Sequence, residues 1–123
     1  MKITYNKTAF TDRELQTYKF RRSEVTTELY KQRLALDGHV NAFEDDVRKN
    51  GLLISKDVYF IENKYPYETL YKHYLLVSFE TDPTDPKLLV QKLIDNGTNP
   101  VLVFENDKKD QSVKTIKHYH VFY

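Results

Sequence analysis

The chain has 123 residues, no cysteine and a formal net charge of +1, with 19 basic and 18 acidic residues. This length fits one domain, which we divide into a helical part at residues 11–50 and a sheet-rich part at residues 51–123. The absence of cysteine excludes disulfide frameworks, thiolate nucleophiles and cysteine-ligated zinc. The balanced charge argues against two classes of protein, a strongly basic protein that coats nucleic acid and an acidic mimic of DNA. No apolar run has the length of a signal peptide or a membrane span, so we expect a cytoplasmic protein without a membrane partner.

The first half of the chain predicts one short strand, at residues 2–5, followed by helical structure. An unbroken helix over residues 12–49 would be about 55 Å long, which is too long for a domain of this size. We therefore favour two helices, with a break near Arg22-Ser23, where Ser23 is a good N-cap, or at Asp37-Gly38. The helical pattern rests on one apolar stripe with spacings of three and four, formed by Leu15, Tyr18, Arg22, Val25, Leu29, Leu36, Val40, Phe43 and Val47.

The second half predicts strands at residues 52–62, 71–80, 100–105 and 113–123. Between the second and third of these, Asp85 as N-cap and Pro86 at the first helical position begin a helix that ends at Asn96-Gly97. The element order is β-α-α-β-β-α-β-β. This order predicts an α+β fold with a mostly antiparallel sheet of four to five strands and helices packed on one face.

His118 and His120 are the candidate metal ligands, because residues two apart in a strand point to the same side. Two imidazoles can hold one divalent metal if an acidic residue or a third histidine joins them. The candidates for that third ligand are Glu105, Asp107 and Asp110 in the preceding turn, and His73 on the strand at residues 71–80. The alternative is that these histidines are ordinary half-exposed strand residues.

Residues 72–123 also contain a recognisable series of elements around this pair. An apolar strand at 73–79 precedes a helix at 86–97 and a second strand at 100–104. An acidic turn follows, Glu105-Asn106-Asp107-Lys108-Lys109-Asp110, and then the strand Lys117-His118-Tyr119-His120-Val121. This segment resembles the first half of a small rolling-circle replication initiator of the His-hydrophobic-His endonuclease superfamily, in particular the small Gram-positive plasmid type.

The resemblance implies a divalent metal, Mn or Mg, that is held by His118, His120 and one acidic residue of the turn. The metal would polarise a DNA phosphate for attack by a tyrosine. In the replication initiators this tyrosine follows the His pair, whereas here the chain stops three residues after His120. In the related conjugative relaxases it lies near the N-terminus, which implies Tyr30 or Tyr18 as the catalytic residue. Lys117, beside the pair, becomes a candidate nucleic-acid contact.

The helical part supplies a candidate basic patch for phosphate binding. The alternative is that these basic residues form ordinary surface ion pairs with the neighbouring Glu24 and Glu28. The patch comprises Lys19, Arg21, Arg22, Lys31 and Arg33.

Three functions are open at this stage. The first is a nucleic-acid-associated plasmid or phage replication protein that binds single-stranded or nicked DNA, as a metal-dependent nicking domain or its non-catalytic derivative. The second is a small non-enzymatic phage-type inhibitor or interaction protein that binds a host protein. The third is a fragment or accessory module that needs a second subunit, for which a homodimer is the simplest form.

Overall fold

The computed structural model describes residues 3–7, 11, 13, 22–69, 71–106 and 116–123. Within these residues the chain forms three helices and six strands. The helices are α1 (Glu24–Leu34), α2 (His39–Asn50) and α3 (Pro86–Asp95). The strands are β1 (Ile3–Lys7), β2 (Leu52–Ser55), β3 (Val58–Glu62), β4 (His73–Ser78), β5 (Leu102–Glu105) and β6 (Lys117–Phe122). None of the described helices is long and apolar enough to cross a membrane.

The six strands form one sheet in the order β1-β5-β6-β4-β3-β2, and every neighbouring pair is antiparallel. The α+β class is therefore confirmed. β6 lies at the centre, between β5 and β4. Its register sets His118 opposite Val77, and His120 opposite Leu75 on one side and Phe104 on the other.

The sheet has more strands than the four to five expected, because residues 52–62 form a hairpin rather than one strand. The chain reverses at Lys56-Asp57, and Leu53 pairs with Tyr59 across the turn. Apolar residues continue on both sides of this turn, which contains neither Gly nor Pro, so the periodicity does not reveal the reversal.

The helical region breaks at Gly38, one of the two expected positions, and α1 begins directly after the other, Ser23. Ser23 caps α1, and its hydroxyl accepts from the Thr26 N–H at 3.2 Å. Gly38 separates α1 from α2 with a φ of +73°, a conformation that glycine adopts without steric cost. At the third helix, Asp85 caps the N-terminus and Pro86 is the first residue, as the sequence predicts.

The expectation that the helices pack on one face is wrong, because helices cover both faces of the sheet. On one side, which we call the α3 face, Leu89 and Leu93 of α3 pack against Leu76, Tyr119 and Val121. On the other side, which we call the histidine face, Val47 of α2 packs against Leu75 and Val77. β4 and β6 are buried on nearly every residue, which is the pattern of strands that are covered on both faces.

Leu15 and Tyr18 of the predicted apolar stripe lie outside the described residues, and the part from Val25 onward divides between α1 and α2. In α2, Val40, Phe43 and Val47 pack against the sheet. In α1 no residue is buried, and Val25 and Leu29 are exposed. Helical spacing therefore located both helices, but it identified a buried face only for α2.

Candidate functional site

One pocket on the histidine face is lined by α1, α2, the loop that follows β3, and β6. Tyr30 and Arg33 contribute from α1, and His118 and His120 contribute from β6. Arg22, immediately before the α1 cap, also lines it. The structure therefore brings five of the expected site residues together from segments that are about 90 residues apart in the sequence.

Arg22 lies between two tyrosine rings at this pocket. Its guanidinium carbon is 4.0 Å from the ring centre of Tyr30 and 4.9 Å from that of Tyr67. Its Nε–H donates to the Tyr65 carbonyl oxygen at 2.7 Å. Cation–π contacts of this kind hold the guanidinium in place. The two terminal nitrogens of Arg22 make no hydrogen bond to a described residue, so they remain available to an anion.

The other charged side chains of the pocket divide into a paired and an unpaired group. Lys64 forms an ion pair with Asp46, with Nζ and Oδ1 3.2 Å apart. Arg33 forms no ion pair with any residue in the described part of the chain. Glu62 also lines the pocket, so three cations (Arg22, Arg33 and Lys64) stand against two carboxylates, and the pocket keeps a surplus of one positive charge.

His120 is hydrogen-bonded to a third histidine below the pocket. The backbone N–H of Tyr67 donates to His73 Nδ1 at 3.1 Å, so a neutral His73 carries its proton on Nε2. That Nε2–H then donates to His120 Nδ1 at 2.8 Å. A backbone N–H thus fixes the tautomer of His73. His73 in turn makes Nδ1 of His120 the hydrogen-bond acceptor of that ring.

The His73–His120 pair is buried among aromatic rings. Tyr67 stacks on His120 with ring centres 5.3 Å apart, and Phe122 stacks on His73 at 4.5 Å. Burial, together with a smaller contribution from the nearby Arg22 charge, lowers the pKa of His73 to about 3. His73 is therefore neutral at physiological pH, as its hydrogen bonds require.

His118 is the histidine whose ring nitrogen is free to act in the pocket. Its Nδ1–H donates to the Ile116 carbonyl oxygen at 3.0 Å, which leaves a lone pair on Nε2. Burial lowers the pKa of His118, so the ring is neutral near pH 7. Nε2 can therefore accept a proton or bind a metal ion, and an Nδ1–H bond to a carbonyl is the usual orientation of a metal-ligating histidine.

The fit of the site to a metal ion is partial. His118 offers Nε2, whereas His120 Nδ1 already accepts from His73. Among the described residues no three His, Asp or Glu side chains are arranged so that they could hold one ion. Asp107 and Asp110, two of the expected acidic ligands, lie outside the described residues.

Glu105 and Lys117 do not join the pocket, because they lie on the α3 face. Phe104 is the cross-strand partner of His120 and shares its side of the sheet, so Glu105 points to the opposite side. There Glu105 accepts from the Tyr5 hydroxyl at 3.1 Å and pairs with Lys117 Nζ at 2.7 Å. This carboxylate and this amine stabilise each other and are remote from the His pair.

Of the remaining expected residues, one is described by the structure and three are not. Lys31 is on α1 and exposed, but it does not line the pocket. Tyr18, Lys19 and Arg21 lie outside the described residues.

The loop between β3 and β4 supplies the site residues that sequence reasoning missed. Lys64 and Tyr65 line the pocket, and Tyr67 covers both His73 and His120. The strand pattern alone predicts this segment only as the connection between the strands at residues 52–62 and 71–80. Its sequence, Asn63-Lys64-Tyr65-Pro66-Tyr67, combines basic and aromatic residues in a loop. That combination is the feature of the sequence that indicates a binding site here.

Comparison with known proteins adds no assignment, since no protein-family model, curated protein or solved structure matches the chain.

Proposed function

We propose that this pocket binds a phosphate-bearing segment of single-stranded DNA. The protein would then be a nucleic-acid-associated protein of a plasmid or phage, either a DNA-nicking domain or a non-catalytic derivative of one. The observation that carries the proposal is that Tyr30, His118 and His120 line the same pocket as Arg22 and Arg33. A nucleophile candidate, a neutral imidazole and two cations are the groups that phosphodiester chemistry uses.

The chemistry of the lining residues supports a single strand as the ligand. Arg22 and Arg33 can bind phosphate oxygens through planar, bidentate N–H groups. Tyr30 and Tyr65, whose ring centres are 5.2 Å apart, offer aromatic surface for an unstacked base. Because the whole chain is nearly neutral, this local group of cations is what would attract the backbone of DNA.

In a nicking reaction the Tyr30 hydroxyl would attack the phosphorus atom and form a phosphotyrosine bond, while the bond from phosphorus to one deoxyribose oxygen breaks and that oxygen takes a proton from water. His118 Nε2 would supply a lone pair. That lone pair can take the phenolic proton or bind a divalent ion such as Mn or Mg. A bound ion would contribute polarisation of a phosphate oxygen. His118 would be its first protein ligand, and its further ligands would have to come from outside the described residues or from a rearranged His120.

Binding is tested by fluorescence anisotropy with a labelled single-stranded DNA pool. We expect Arg33→Ala to weaken binding about tenfold and to reduce the salt dependence. Lys87→Ala is the matched control, because Lys87 is an exposed cation on α3, across the sheet from the pocket. Equal affinities of wild type, Arg33→Ala and Lys87→Ala would refute the pocket as the binding site.

Cleavage is tested separately with the same DNA in the presence of Mn²⁺. We expect nicking by the wild type and its loss in both Tyr30→Phe and His118→Ala, with DNA affinity retained in Tyr30→Phe. Binding without cleavage in the wild type would identify a non-catalytic derivative. Cleavage that survives both substitutions would show that Tyr30 and His118 are not the reacting groups.

A second candidate, a protein that binds a host protein, is favoured by the edge strand β2. β2 is the last strand of the sheet order, and Leu52 and Leu53 are exposed on it. Such an edge can accept a strand of another protein. Affinity capture with immobilised wild type and with Leu53→Lys would test this candidate. A host protein that both forms retain equally would not be using β2.

A further inference from the structure

The outer side of α1 carries an apolar stripe that is exposed to solvent. It consists of Val25, Leu29 and Leu36 with the polar Gln32 among them, and we call these four residues the α1 stripe. On a helix with 3.6 residues per turn these positions fall within an arc of about 60°. Val25 is 72% exposed, Leu29 is 51% exposed, and Leu36, in the turn after α1, is 60% exposed. Large apolar side chains at this spacing are typical of a helix face that packs against another surface.

The charged residues beside the α1 stripe indicate what kind of surface packs against it. Glu24 and Glu28 lie in the first half of α1 and Lys31 lies in its second half, and all three are exposed. If two copies of α1 pack antiparallel, Glu28 of each copy lies beside the partner's Lys31, and the two helix dipoles oppose each other. A parallel arrangement would instead bring like charges together. The surface is thus complementary to itself about a twofold axis, which is the requirement for an isologous dimer.

We propose that the chain forms a homodimer through antiparallel packing of the α1 stripes of two copies. Val25 then packs against the partner's Leu36, and Leu29 lies near the twofold axis. The net charge of +1 opposes this association only weakly. The pairing leaves the pocket open, because Tyr30 and Arg33 line the pocket from a different side of α1. The proposal does not depend on DNA binding.

The dimer is tested by sedimentation equilibrium of the full chain over a range of concentrations. We expect a concentration-dependent dimer in the wild type and a dissociation constant roughly a hundredfold higher in Leu29→Glu. Leu88→Glu is the matched control, because Leu88 is an equally exposed leucine on α3, and we expect it to leave the dissociation constant unchanged. A circular dichroism spectrum for each variant shows whether the fold is kept.

A wild type that stays monomeric up to about 1 mM overturns the proposal. So does a dimer that Leu29→Glu and Leu88→Glu affect equally, or one that only a Leu53→Lys substitution on β2 dissociates.

The antiparallel arrangement is tested by exchanging charges. Glu28→Lys and Lys31→Glu should each raise the dissociation constant about tenfold, because each places like charges across the interface. The double variant Glu28→Lys/Lys31→Glu restores opposite charges and should return the wild-type dissociation constant. If the double variant is as weak as the single variants, the two residues do not meet across the twofold axis.

Discussion

The two faces of the sheet bury their side chains in different ways. Under α3, Leu76, Leu89 and Val121 form one apolar cluster, and the buried polar residues on this side, Ser78 and Glu105, are not aromatic. Under α1 and α2, the sheet instead buries His73 and His120 among aromatic rings, next to an open pocket. The first face packs a helix against apolar side chains, whereas the second holds two hydrogen-bonded imidazoles in fixed orientations beside the pocket.

This contrast separates stability from chemistry within one sheet. A buried polar group costs free energy unless it is hydrogen-bonded, and the His73–His120 bond meets that requirement at the edge of the pocket. None of the described residues of α3 lines the pocket. We therefore expect substitutions on the α3 face to change stability, and substitutions on the histidine face to change pH dependence and ligand binding.

The largest effect is expected from truncation of the α3 core. Leu89→Ala should lower the free energy of unfolding by about 3 kcal/mol, because Leu89 is fully buried and the truncation leaves a cavity. Leu88→Ala, one residue away but 58% exposed, should change it by less than about 0.5 kcal/mol. Urea denaturation measures both values. Similar losses in the two variants would show that α3 is not packed as described.

The next effect is the pH dependence that the histidine face imposes on stability. His73 titrates near 6.5 in the unfolded chain and at about 3 in the folded protein. Between these pH values the unfolded chain binds the additional proton, so the free energy of unfolding falls as the pH falls. The slope from this residue is at most about 1.4 kcal/mol per pH unit.

Urea denaturation at several pH values between 4.5 and 6.5, a window of roughly two units below the unfolded pKa, measures this slope. We expect His73→Leu to be less stable than wild type above pH 6.5, because Tyr67 N–H and His120 Nδ1 lose their partner. We also expect His73→Leu to show a shallower decline on acidification. His39→Gln is the control, since His39 is half-exposed on α2. Parallel curves for wild type and His73→Leu would contradict the buried, neutral state of His73.

The sequence predicted local features of both faces better than their relation to each other. The Ser23 cap, the Asp85-Pro86 helix start and the shared side of His118 and His120 depend on residues close in sequence. The side on which Glu105 lies depends instead on the register of β5 with β6, because a shift of one residue would reverse its direction. Spacing along the chain does not contain that information.

The sequence does contain a signal that both faces of the sheet are covered by helices. Apolar runs such as Leu75-Leu76-Val77 lack the alternation of a strand with one wet face. The contact of Arg22 with Tyr30 and Tyr67 was not predictable in this way, because it joins a helix start to a loop about 45 residues later through tertiary packing alone.

The smallest effect concerns two tyrosines on the α3 face that differ in one hydrogen bond. The Tyr5 hydroxyl donates to Glu105, and burial followed by that carboxylate raises the pKa of Tyr5 to about 12. Tyr119 packs edge-to-face against Tyr5, but its buried hydroxyl has no hydrogen-bond partner among the residues that the structure describes. Burial, with a further contribution from Glu105, raises the pKa of Tyr119 as well, so both hydroxyls stay protonated.

Removal of these two hydroxyls should therefore change the free energy of unfolding in different ways. Tyr5→Phe should lower the free energy of unfolding by about 1 kcal/mol, because buried Glu105 loses a donor. Tyr119→Phe should leave it unchanged or raise it by up to about 1 kcal/mol, because the lost group was desolvated without compensation. Denaturation of both variants at pH 7 gives the comparison. A loss in Tyr119→Phe as large as that in Tyr5→Phe would mean that a bound water or ligand satisfies the Tyr119 hydroxyl, and the α3 face would then also contain a polar site.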